Sequence, residues 1–269
     1  MSQKKTYPLV SVIMNSHNGA KFLKKSVKSV LNQSYKNWEI IFWDNFSKDE
    51  SKQIIQNFKE KRIRYFYSKN FNNLYKSRNL AIKKAKGKYI CFLDVDDIWK
   101  KNKILKQVRI MEKYSYDFIY SNFFISNKMN GKLYKKKEGK CPEGIITQEL
   151  LNNYLLGILT VMIRRKIFDK FKFKDKYNII GDFELFIRLS TKYNFYCIQE
   201  PLATYYVHGN NYSSMNLKTY FYEMKEWLKE NNKILGKNFN LKNIKFYIFK
   251  LRLKYFLNLF FNRGPLAQK

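Results

Sequence analysis

The sequence predicts an α/β fold with a mainly parallel central sheet, and two observations support this. Short apolar segments alternate with segments of helical periodicity through the first half of the 269-residue chain. Two of the apolar segments end in an acidic residue, at Asp44 and at Asp94. Strands separated by helices form parallel sheets, and ligands bind beyond the carboxyl ends of such strands. We therefore expect both acids at one rim of the sheet, close to a ligand.

The first half of the chain is predicted to contain four strands with helices between them. Runs rich in Val, Ile and aromatic residues predict buried strands, whereas apolar residues spaced three and four apart predict helices. Ser47 followed by Glu50 predicts a capping box for the second helix, and Gly87 predicts the C-terminal cap of the third. The predicted strands are 10–14, 39–43, 63–66 and 89–93, and the predicted helices are 20–32, 47–58 and 74–86.

The alternation continues to about residue 215, where long basic and aromatic helical patterns replace it. The segment 131–139 is bounded by glycine and rich in lysine, which predicts an exposed loop or hairpin tip. We therefore divide the chain into a domain at 1–215 and a helical extension at 216–269. The further elements predicted within the domain are helices at 101–114 and 181–193 and strands at 117–124, 159–163 and 195–198.

The composition indicates a folded protein with anionic partners. Hydrophobic residues make up 45% of the chain, enough to form a core, and 53 Lys and Arg against 21 Asp and Glu give a formal net charge of +32. Abundant Lys, Asn, Ile, Tyr and Phe also indicate an AT-rich coding bias, which explains part of this charge without function. The chain has three cysteines, an odd number without a C-x-x-C pair, which argues against a disulfide framework or a zinc site. We expect neither a signal peptide nor a transmembrane helix.

Asp94-Val95-Asp96-Asp97 is unusual in so basic a chain, because it places three acids within four residues. Carboxylates this close raise one another's pKa unless a cation shares the site. A hard divalent ion such as Mg²⁺ or Mn²⁺ is the expected partner. The alternative is a solvated turn in which Asp97 caps a helix.

Several segments together resemble a family-2 glycosyltransferase with the GT-A fold, a Rossmann-like domain that uses nucleotide-sugar donors. They run in family order, and as a set they are specific, although each alone would be weak. On this resemblance, residues 7–97 form the nucleotide-binding half and residues 98–215 the acceptor half. The matching segments are Val10–Asn15, His17–Gly19, Ser29–Tyr35, Trp38–Asp44, Ser47–Asp49, Arg78–Ala81, Gly87–Asp97, Gly181–Leu185 with Arg188, and Val207–Gly209.

The resemblance implies a role for each matching residue. Asp182 corresponds to the catalytic base that deprotonates the acceptor hydroxyl in inverting members. Asp96 corresponds to the direct ligand of Mg²⁺ or Mn²⁺, and His208 to a contact with the metal or the diphosphate. The donor-binding residues implied are Asp44 on the nucleobase, typically uracil, Asn15, His17 and Asn18 around the nucleotide, Asp94 and Val95 near the ribose, and Arg78 on a phosphate or an acid.

The sequence departs from the family pattern at three places. The common Val-Asp-Asp-Gly-Ser becomes Trp43-Asp44-Asn45-Phe46-Ser47, which lacks the second acid and the glycine. Gly181 replaces a common Glu before the catalytic Asp182. Tyr206 replaces an Arg that often contacts the diphosphate. The changes at Asn45 and Gly181 keep open the possibility of a catalytically silent relative.

Residues 242–269 contain seven Lys or Arg and no acid, interspersed with apolar and aromatic residues. Such a basic amphipathic helix can lie in an anionic membrane interface. It can equally pack on the catalytic domain with its lysines directed outward. We expect a cytoplasmic protein, attached peripherally to the inner face of the cytoplasmic membrane if the first alternative holds.

The resulting hypothesis is a metal-dependent, inverting glycosyltransferase that moves a hexose-type sugar from a nucleoside-diphosphate donor, with UDP favoured, to a glycan or lipid-linked acceptor. Its expected setting is bacterial cell-surface polysaccharide or glycoconjugate biosynthesis. A nucleotidyltransferase is disfavoured because the segment after the first strand is not a Gly-rich phosphate loop. The alternative from another class is a basic nucleic-acid-binding protein, although no recognition motif is present and no specific nucleic acid is expected.

Overall fold

The structure is a computed structural model that describes residues 7–209 and 211–261. Within these residues, a nine-stranded sheet lies between two groups of helices. The predicted β-branched and aromatic runs form seven of its strands, as their propensities favour, whereas the short strands at 98–99 and 132–135 were not predicted. These strands are β1 (Val10–Ser16), β2 (Trp38–Asp44), β3 (Ile63–Tyr67), β4 (Tyr89–Phe92), β5 (Ile98–Trp99), β6 (Phe118–Asn127), β7 (Lys132–Lys135), β8 (Met162–Arg164) and β9 (Phe195–Val207).

The strand order is β3-β2-β1-β4-β8-β6-β9-β5, with β7 paired to β6 at one side. The strands of the first half, β3, β2, β1 and β4, are all parallel. In the second half β6 and β9 are parallel, whereas β8, β5 and β7 each pair in antiparallel fashion. The predicted α/β fold with a mainly parallel sheet is therefore confirmed.

The last strand is much longer than the four residues predicted for it, since β9 continues through Pro201 to Val207. A proline removes one ladder hydrogen bond and is normally confined to strand edges or bulges. Here Pro201 pairs with Asn122 where the β6–β9 register shifts on both sides of Asn122. This irregularity accommodates the proline, and the extended strand carries the chain directly to His208.

The helices cover both faces of the sheet. Buried residues of α1, α2 and α4 pack on one face, and those of α3, α5, α7, α9 and α10 pack on the other. None of the helices in the described part of the chain has the length and apolar character of a bilayer-crossing segment. The helices are α1 (Ala20–Leu31), α2 (Ser51–Asn57), α3 (Leu74–Ile82), α4 (Lys103–Tyr114), α5 (Thr147–Asn152), α6 (Ile167–Lys170), α7 (Gly181–Ser190), α8 (Tyr212–Met215), α9 (Leu217–Leu235) and α10 (Lys242–Phe261).

Two of the predicted helix caps are wrong. The backbone N–H of Ser47 donates to Asp44 Oδ1 at 2.8 Å, so Ser47 belongs to the turn after β2, and α2 begins only at Ser51. Helix α3 ends at Ile82, well before Gly87. Gly87 instead allows close packing on β1, because a Cβ there would lie 2.6 Å from the backbone nitrogen of Ser11.

The helical extension predicted at 216–269 packs against the sheet domain through one side of each long helix; its residues 262–269 lie outside the described part. Trp227 of α9 and Ile244, Ile248 and Leu251 of α10 are buried in the same cluster as α7. Full burial of a large apolar side chain contributes about 1.5–3 kcal/mol, so these helices contribute substantially to the stability of the domain.

Candidate active site

A cavity of about 590 Å³ opens at the carboxyl ends of β1 and β4. Residues from distant parts of the chain line it, because the loops after parallel strands meet at this rim. Nine of the ten predicted site residues lie in its wall, and Asp44 does not. The nine are Asn15, His17, Asn18, Arg78, Asp94, Val95, Asp96, Asp182 and His208.

Asp96 and His208 meet across the cavity although 112 residues separate them in the sequence. His208 Nε2 lies 3.1 Å from Asp96 Oδ2, and the imidazole stacks on the ring of Phe22 at a centroid distance of 4.8 Å. Both the carboxylate and the imidazole are partly exposed to the cavity. The pair can therefore present one oxygen and one nitrogen ligand to a bound group.

Asp94 is held by a buried arginine. Arg78 of α3 donates to Asp94 Oδ1 at 2.7 Å, while only 3% of the arginine side chain is exposed, compared with 35% of that of Asp94. Burial alone would lower the pKa of Arg78, but the Asp94 carboxylate raises it above its usual value. A charge-assisted bond of this kind fixes the position of Asp94 at the cavity wall.

The other two acids of the cluster, Asp96 and Asp97, both have raised pKa values. Burial, reinforced by the neighbouring Asp94 carboxylate, raises the pKa of Asp96 above its ordinary value. Burial and the two neighbouring acids raise the pKa of Asp97 still further. Asp97 does not cap a helix, because its Oδ1 accepts the backbone N–H of Tyr206 at 3.0 Å and the strand β5 follows it. Within the described residues, its Oδ2 has no hydrogen-bond partner.

These donors fit a divalent cation that is shared with a phosphate-bearing ligand. Carboxylate oxygen and imidazole nitrogen both suit Mn²⁺, and Mg²⁺ is commonly bound by one or two carboxylates together with substrate phosphates. In residues 7–209 and 211–261, no three His, Cys, Asp or Glu side chains converge to hold a metal by themselves. Asp96 and His208 would therefore supply two ligands, and phosphate oxygens would have to supply others.

Asp182 lies at the start of α7 and faces the cavity without capping the helix. Its Oδ1 accepts a hydrogen bond of 3.1 Å from the hydroxyl of Tyr75, which also donates to the carbonyl of Ile179 at 2.6 Å. Burial raises the pKa of Asp182, an effect that Arg78 and the Tyr75 hydroxyl partly oppose. A raised pKa makes the carboxylate a stronger base, which suits it to accept a proton.

Gly181 explains one departure from the family pattern. A Cβ at this position would lie 2.5 Å from the ring of Tyr75, so only glycine lets the first turn of α7 approach that ring. The glutamate that commonly precedes this aspartate in the family could not occupy this backbone without displacing Tyr75. The substitution therefore preserves, in this chain, the contact between Tyr75 and Asp182.

Glu223 of α9 fixes the turn that leads into Asp182. Its buried carboxylate accepts the backbone N–H groups of Asn178 at 2.6 Å, Ile179 at 2.9 Å and Ile180 at 3.2 Å. These groups immediately precede α7, so one carboxylate satisfies three donors that would otherwise be buried without a partner. The helical extension thus contributes a residue that fixes the turn before Asp182.

We predict that Glu223→Gln lowers kcat more than it changes KM for the donor. An amide keeps the shape but replaces one acceptor oxygen by a donor, which leaves at least one of the three N–H groups unpaired at a cost of about 1–3 kcal/mol. Steady-state kinetics, with melting temperature measured alongside, provide the test. Glu226→Gln on the exposed side of α9 is the matched control, and an equal kcat in the two variants would contradict the positioning role.

The part of the cavity at the end of β1 contains a buried amide that has no hydrogen-bond partner among the described residues. Both side-chain atoms of the buried Asn15 lack a hydrogen-bond partner among the described residues, although Asn15 lines the cavity. Nearby, His17 Nδ1 lies 2.9 Å from the carbonyl of Asn45, and Asn18 adopts a left-handed φ of 53°. Buried polar groups are normally satisfied, so the free Asn15 amide indicates a ligand that supplies its partners.

Asp44 differs from the other predicted residues because it is buried beneath the rim, with 1% exposure. Its Oδ1 accepts the N–H of Ser47 at 2.8 Å and its Oδ2 accepts the hydroxyl of Tyr65 at 2.6 Å. Each carboxylate oxygen has a second lone pair, so contact with a nucleobase stays a prediction. Phe46 holds the position of the missing family glycine with a φ of 66°, which retains the glycine-type turn after Asp44.

Four further residues of functional interest escaped the sequence interpretation. Tyr75, Tyr154 and Lys136 line the cavity, and Glu223 supports it from α9. The sequence places Tyr75 and Glu223 in helical segments, Lys136 in a lysine-rich segment and Tyr154 in a segment without a predicted element. No local pattern distinguishes them, because their importance arises only from tertiary contacts.

Residues 11–188 match the family model described as glycosyl transferase family 2. The chain is similar to WfgD of Escherichia coli, a UDP-Glc:alpha-D-GlcNAc-diphosphoundecaprenol beta-1,3-glucosyltransferase, with 36% identity over 167 residues that cover 61% of this chain and 64% of WfgD. It is also similar to TuaG of Bacillus subtilis (strain 168), a glycosyltransferase named for teichuronic acid biosynthesis, with 33% identity over 214 residues that cover 78% of this chain and 84% of TuaG.

Solved structures share the fold at low sequence identity. TarS 1-349 of S. aureus in complex with UDP-GlcNAc superposes with a TM-score of 0.67 and 15% identity, covering 87% of this chain and 69% of that chain. The mannosyltransferase PcManGT of Pyrobaculum calidifontis, in complex with GDP-Man and Mn²⁺, gives a TM-score of 0.62 and 12% identity, covering 85% and 65%. The expected GT-A architecture is thereby confirmed.

Proposed function

Because this chain belongs to glycosyl transferase family 2, we propose that it transfers a sugar from a UDP-sugar donor to a lipid-linked acceptor and inverts the anomeric centre. The observation that carries this proposal is the single cavity shared by Asp182, the Asp96–His208 pair and the unpartnered Asn15 amide. One face of the cavity offers groups for a nucleotide diphosphate, and the opposite side offers a base for an acceptor hydroxyl.

Asp182 acts as the general base in this proposal. Sugar hydroxyls are very weak acids, so a positioned carboxylate must accept the proton as the new bond to the anomeric carbon forms. The Tyr75 hydroxyl and the Glu223-bound turn fix the carboxylate in place. A single in-line displacement inverts the anomeric carbon and requires no nucleophilic side chain.

The donor is bound at the acidic side of the cavity. Asn15 contacts the nucleoside, and Asp94 is positioned by Arg78 toward the ribose. Asp96 and His208 would hold Mg²⁺ or Mn²⁺, which when bound neutralises the charge that develops on the leaving diphosphate. Mn²⁺ accompanies GDP-Man in the PcManGT structure, which supports the use of a divalent cation with this fold.

The proposal of a lipid-linked acceptor rests on the names of the relatives and not on a residue motif. WfgD is named for transfer onto alpha-D-GlcNAc-diphosphoundecaprenol, and a second Escherichia coli relative, WfaP, carries the same description at 41% identity over 117 residues. We extend this acceptor class to the present chain, as a step in the biosynthesis of a cell-surface polysaccharide.

The test is a panel of nucleotide sugars measured by thermal stabilisation with and without Mn²⁺. Ligand binding to the folded state alone raises the melting temperature, by an amount set by its concentration relative to Kd. We expect UDP and at least one UDP-sugar to stabilise the protein more strongly with Mn²⁺. Absence of any nucleotide effect, with salt-dependent binding to RNA or DNA instead, would favour the nucleic-acid-binding alternative.

We further propose that α10 attaches the enzyme to an anionic membrane surface. The side of α10 opposite its buried residues carries an exposed apolar stripe, flanked by exposed cations on both sides. Interfacial helices combine such a stripe with cations that contact anionic lipids. The outer stripe consists of Phe246, Phe249, Leu253, Phe256 and Leu257, and the flanking cations are Lys245, Lys250, Arg252 and Lys254.

We predict that reversing two cations, with Lys250→Glu and Arg252→Glu, weakens binding to vesicles that contain anionic lipid by tenfold or more. Each Lys or Arg near such a surface contributes about 1 kcal/mol, and reversal also adds repulsion. Co-sedimentation with anionic and neutral vesicles measures the effect, with Lys233→Glu and Lys237→Glu as the charge-matched control. Failure of the unaltered protein to bind anionic vesicles would contradict the proposal. Point variants are preferable to deletion of 242–269, which would also remove buried core residues.

A further inference from the structure

Lys136 is a cation in the active-site cavity that the donor site does not use. It follows β7, and its backbone N–H donates to the carbonyl of Phe123 on β6 at 2.9 Å. The next residue is held as well, because Asn122 Nδ2 donates to the carbonyl of Lys137 at 2.8 Å. The lysine-rich hairpin is therefore fixed to β6 at the point where Lys136 enters the cavity wall.

Among the described residues, no acid neutralises the charge of Lys136. Of the Lys and Arg residues that line the cavity, Arg78 is paired with Asp94, whereas the described residues contain no ion-pair partner for Lys136. Its side chain is partly buried, and that burial lowers its pKa. Burial of an ammonium group is unfavourable unless an anion accompanies it. The arrangement is that of a site for an anionic ligand.

The surroundings of Lys136 distinguish this site from the donor diphosphate site. Phe123, which accepts its N–H bond, lies against Gly157 and belongs to an apolar wall with Leu156, Ile158 and Leu159. Tyr154 in the same cavity has a hydroxyl without a hydrogen-bond partner among the described residues. A cation without an ion-pair partner among the described residues shares this cavity with an apolar wall and with a hydroxyl that also lacks a partner there, which matches a ligand that joins phosphate to hydrocarbon.

We propose that Lys136 binds the diphosphate of a prenyl-diphosphate-linked acceptor and so determines acceptor class. This inference rests on the proposed function, since it assigns the acceptor side of the same cavity. The Asp96–His208 pair serves the phosphates of the donor, and Lys136 serves those of the acceptor. The apolar wall contacts the first part of the prenyl chain, which orients the acceptor sugar toward Asp182.

Binding of farnesyl diphosphate and of farnesol tests the proposal, because the two probes differ only in their phosphates. Both are titrated into the full chain by calorimetry, with and without saturating UDP and Mn²⁺. We expect Lys136→Met to weaken the binding of farnesyl diphosphate by about tenfold or more, which is the effect of removing one charge-assisted contact. Farnesol affinity should be unchanged. Lys135→Met, on the exposed strand β7, is the matched control.

Several outcomes would overturn the assignment. Equal affinity of Lys136→Met and the unaltered protein for farnesyl diphosphate removes Lys136 from the site, and lack of binding by the unaltered protein removes the site itself. If Lys136→Met weakens the binding of UDP as strongly as that of farnesyl diphosphate, the lysine binds the donor instead. Failure of the unaltered protein to bind UDP contradicts the proposed function, and the arm without UDP still reports on Lys136.

Discussion

Asp182→Asn is expected to lower kcat by about 10²–10⁴-fold while donor binding is retained. This range is the usual contribution of a positioned general base. Asparagine has nearly the same shape and can still accept the Tyr75 hydroxyl bond, so the cavity should keep its geometry. It cannot accept a proton from the acceptor hydroxyl. Initial rates of sugar transfer measure the loss, and calorimetry with UDP measures donor affinity.

The pH profile separates loss of the base from general damage. Asp182 must be deprotonated to act, and its pKa is raised by burial, so kcat of the unaltered enzyme should fall as pH decreases through that raised pKa. The residual rate of Asp182→Asn should lack this acid limb. Tyr75→Phe removes a hydrogen bond that lowers the pKa, so it should move the limb to higher pH.

Asp175→Asn, an exposed acid in the segment before α7, is the matched control and should leave kcat unchanged. Two results would contradict the assignment. The first is an active Asp182→Asn variant. The second is an acid limb that persists in that variant, since another group would then titrate.

The residues at the rim of the sheet were predictable because short-range sequence patterns show where each strand ends. Apolar runs that end in Asn15 and Asp94 belong to neighbouring parallel strands, β1 and β4, whose ends meet at one edge. Only the family resemblance connected Asp96 with His208, as residues that contact the metal or the diphosphate. Their contact depends on β9 extending past Pro201, which strand propensities argue against.

The support around the site was not predictable, because it depends on packing between distant elements. Glu223 lies about forty residues after the turn that it holds, in a helix whose pattern indicated only a basic extension. Lys136 is one of three consecutive lysines, and only the fold shows which of them enters the cavity. Asp44 is a different case, because a motif identified it but did not indicate that its side chain would be buried below the rim.

Asp96→Ala is expected to abolish the effect of Mn²⁺ on UDP affinity and to reduce transfer by 100-fold or more. Removing Asp96 leaves His208 as the remaining direct protein ligand of the proposed cation, and cation stabilisation of a leaving group is worth several kcal/mol. Titration of UDP with and without Mn²⁺ gives a readout that does not depend on catalysis. Mn²⁺ should tighten UDP binding in the unaltered protein, and the ratio of the two Kd values should approach one in the variant.

The stability of the metal-free variant distinguishes a ligand from a structural residue. Burial and the Asp94 carboxylate raise the pKa of Asp96, so its charge is unfavourable when no cation is present. Replacing it by alanine relieves that repulsion, and the melting temperature without metal should be kept or raised, while stabilisation by UDP with Mn²⁺ is lost. Asp169→Ala, an exposed acid on α6, controls for the removal of one carboxylate. A variant that still responds to Mn²⁺ would remove Asp96 from the proposed cation site, and one that unfolds without metal would show that Asp96 supports the fold.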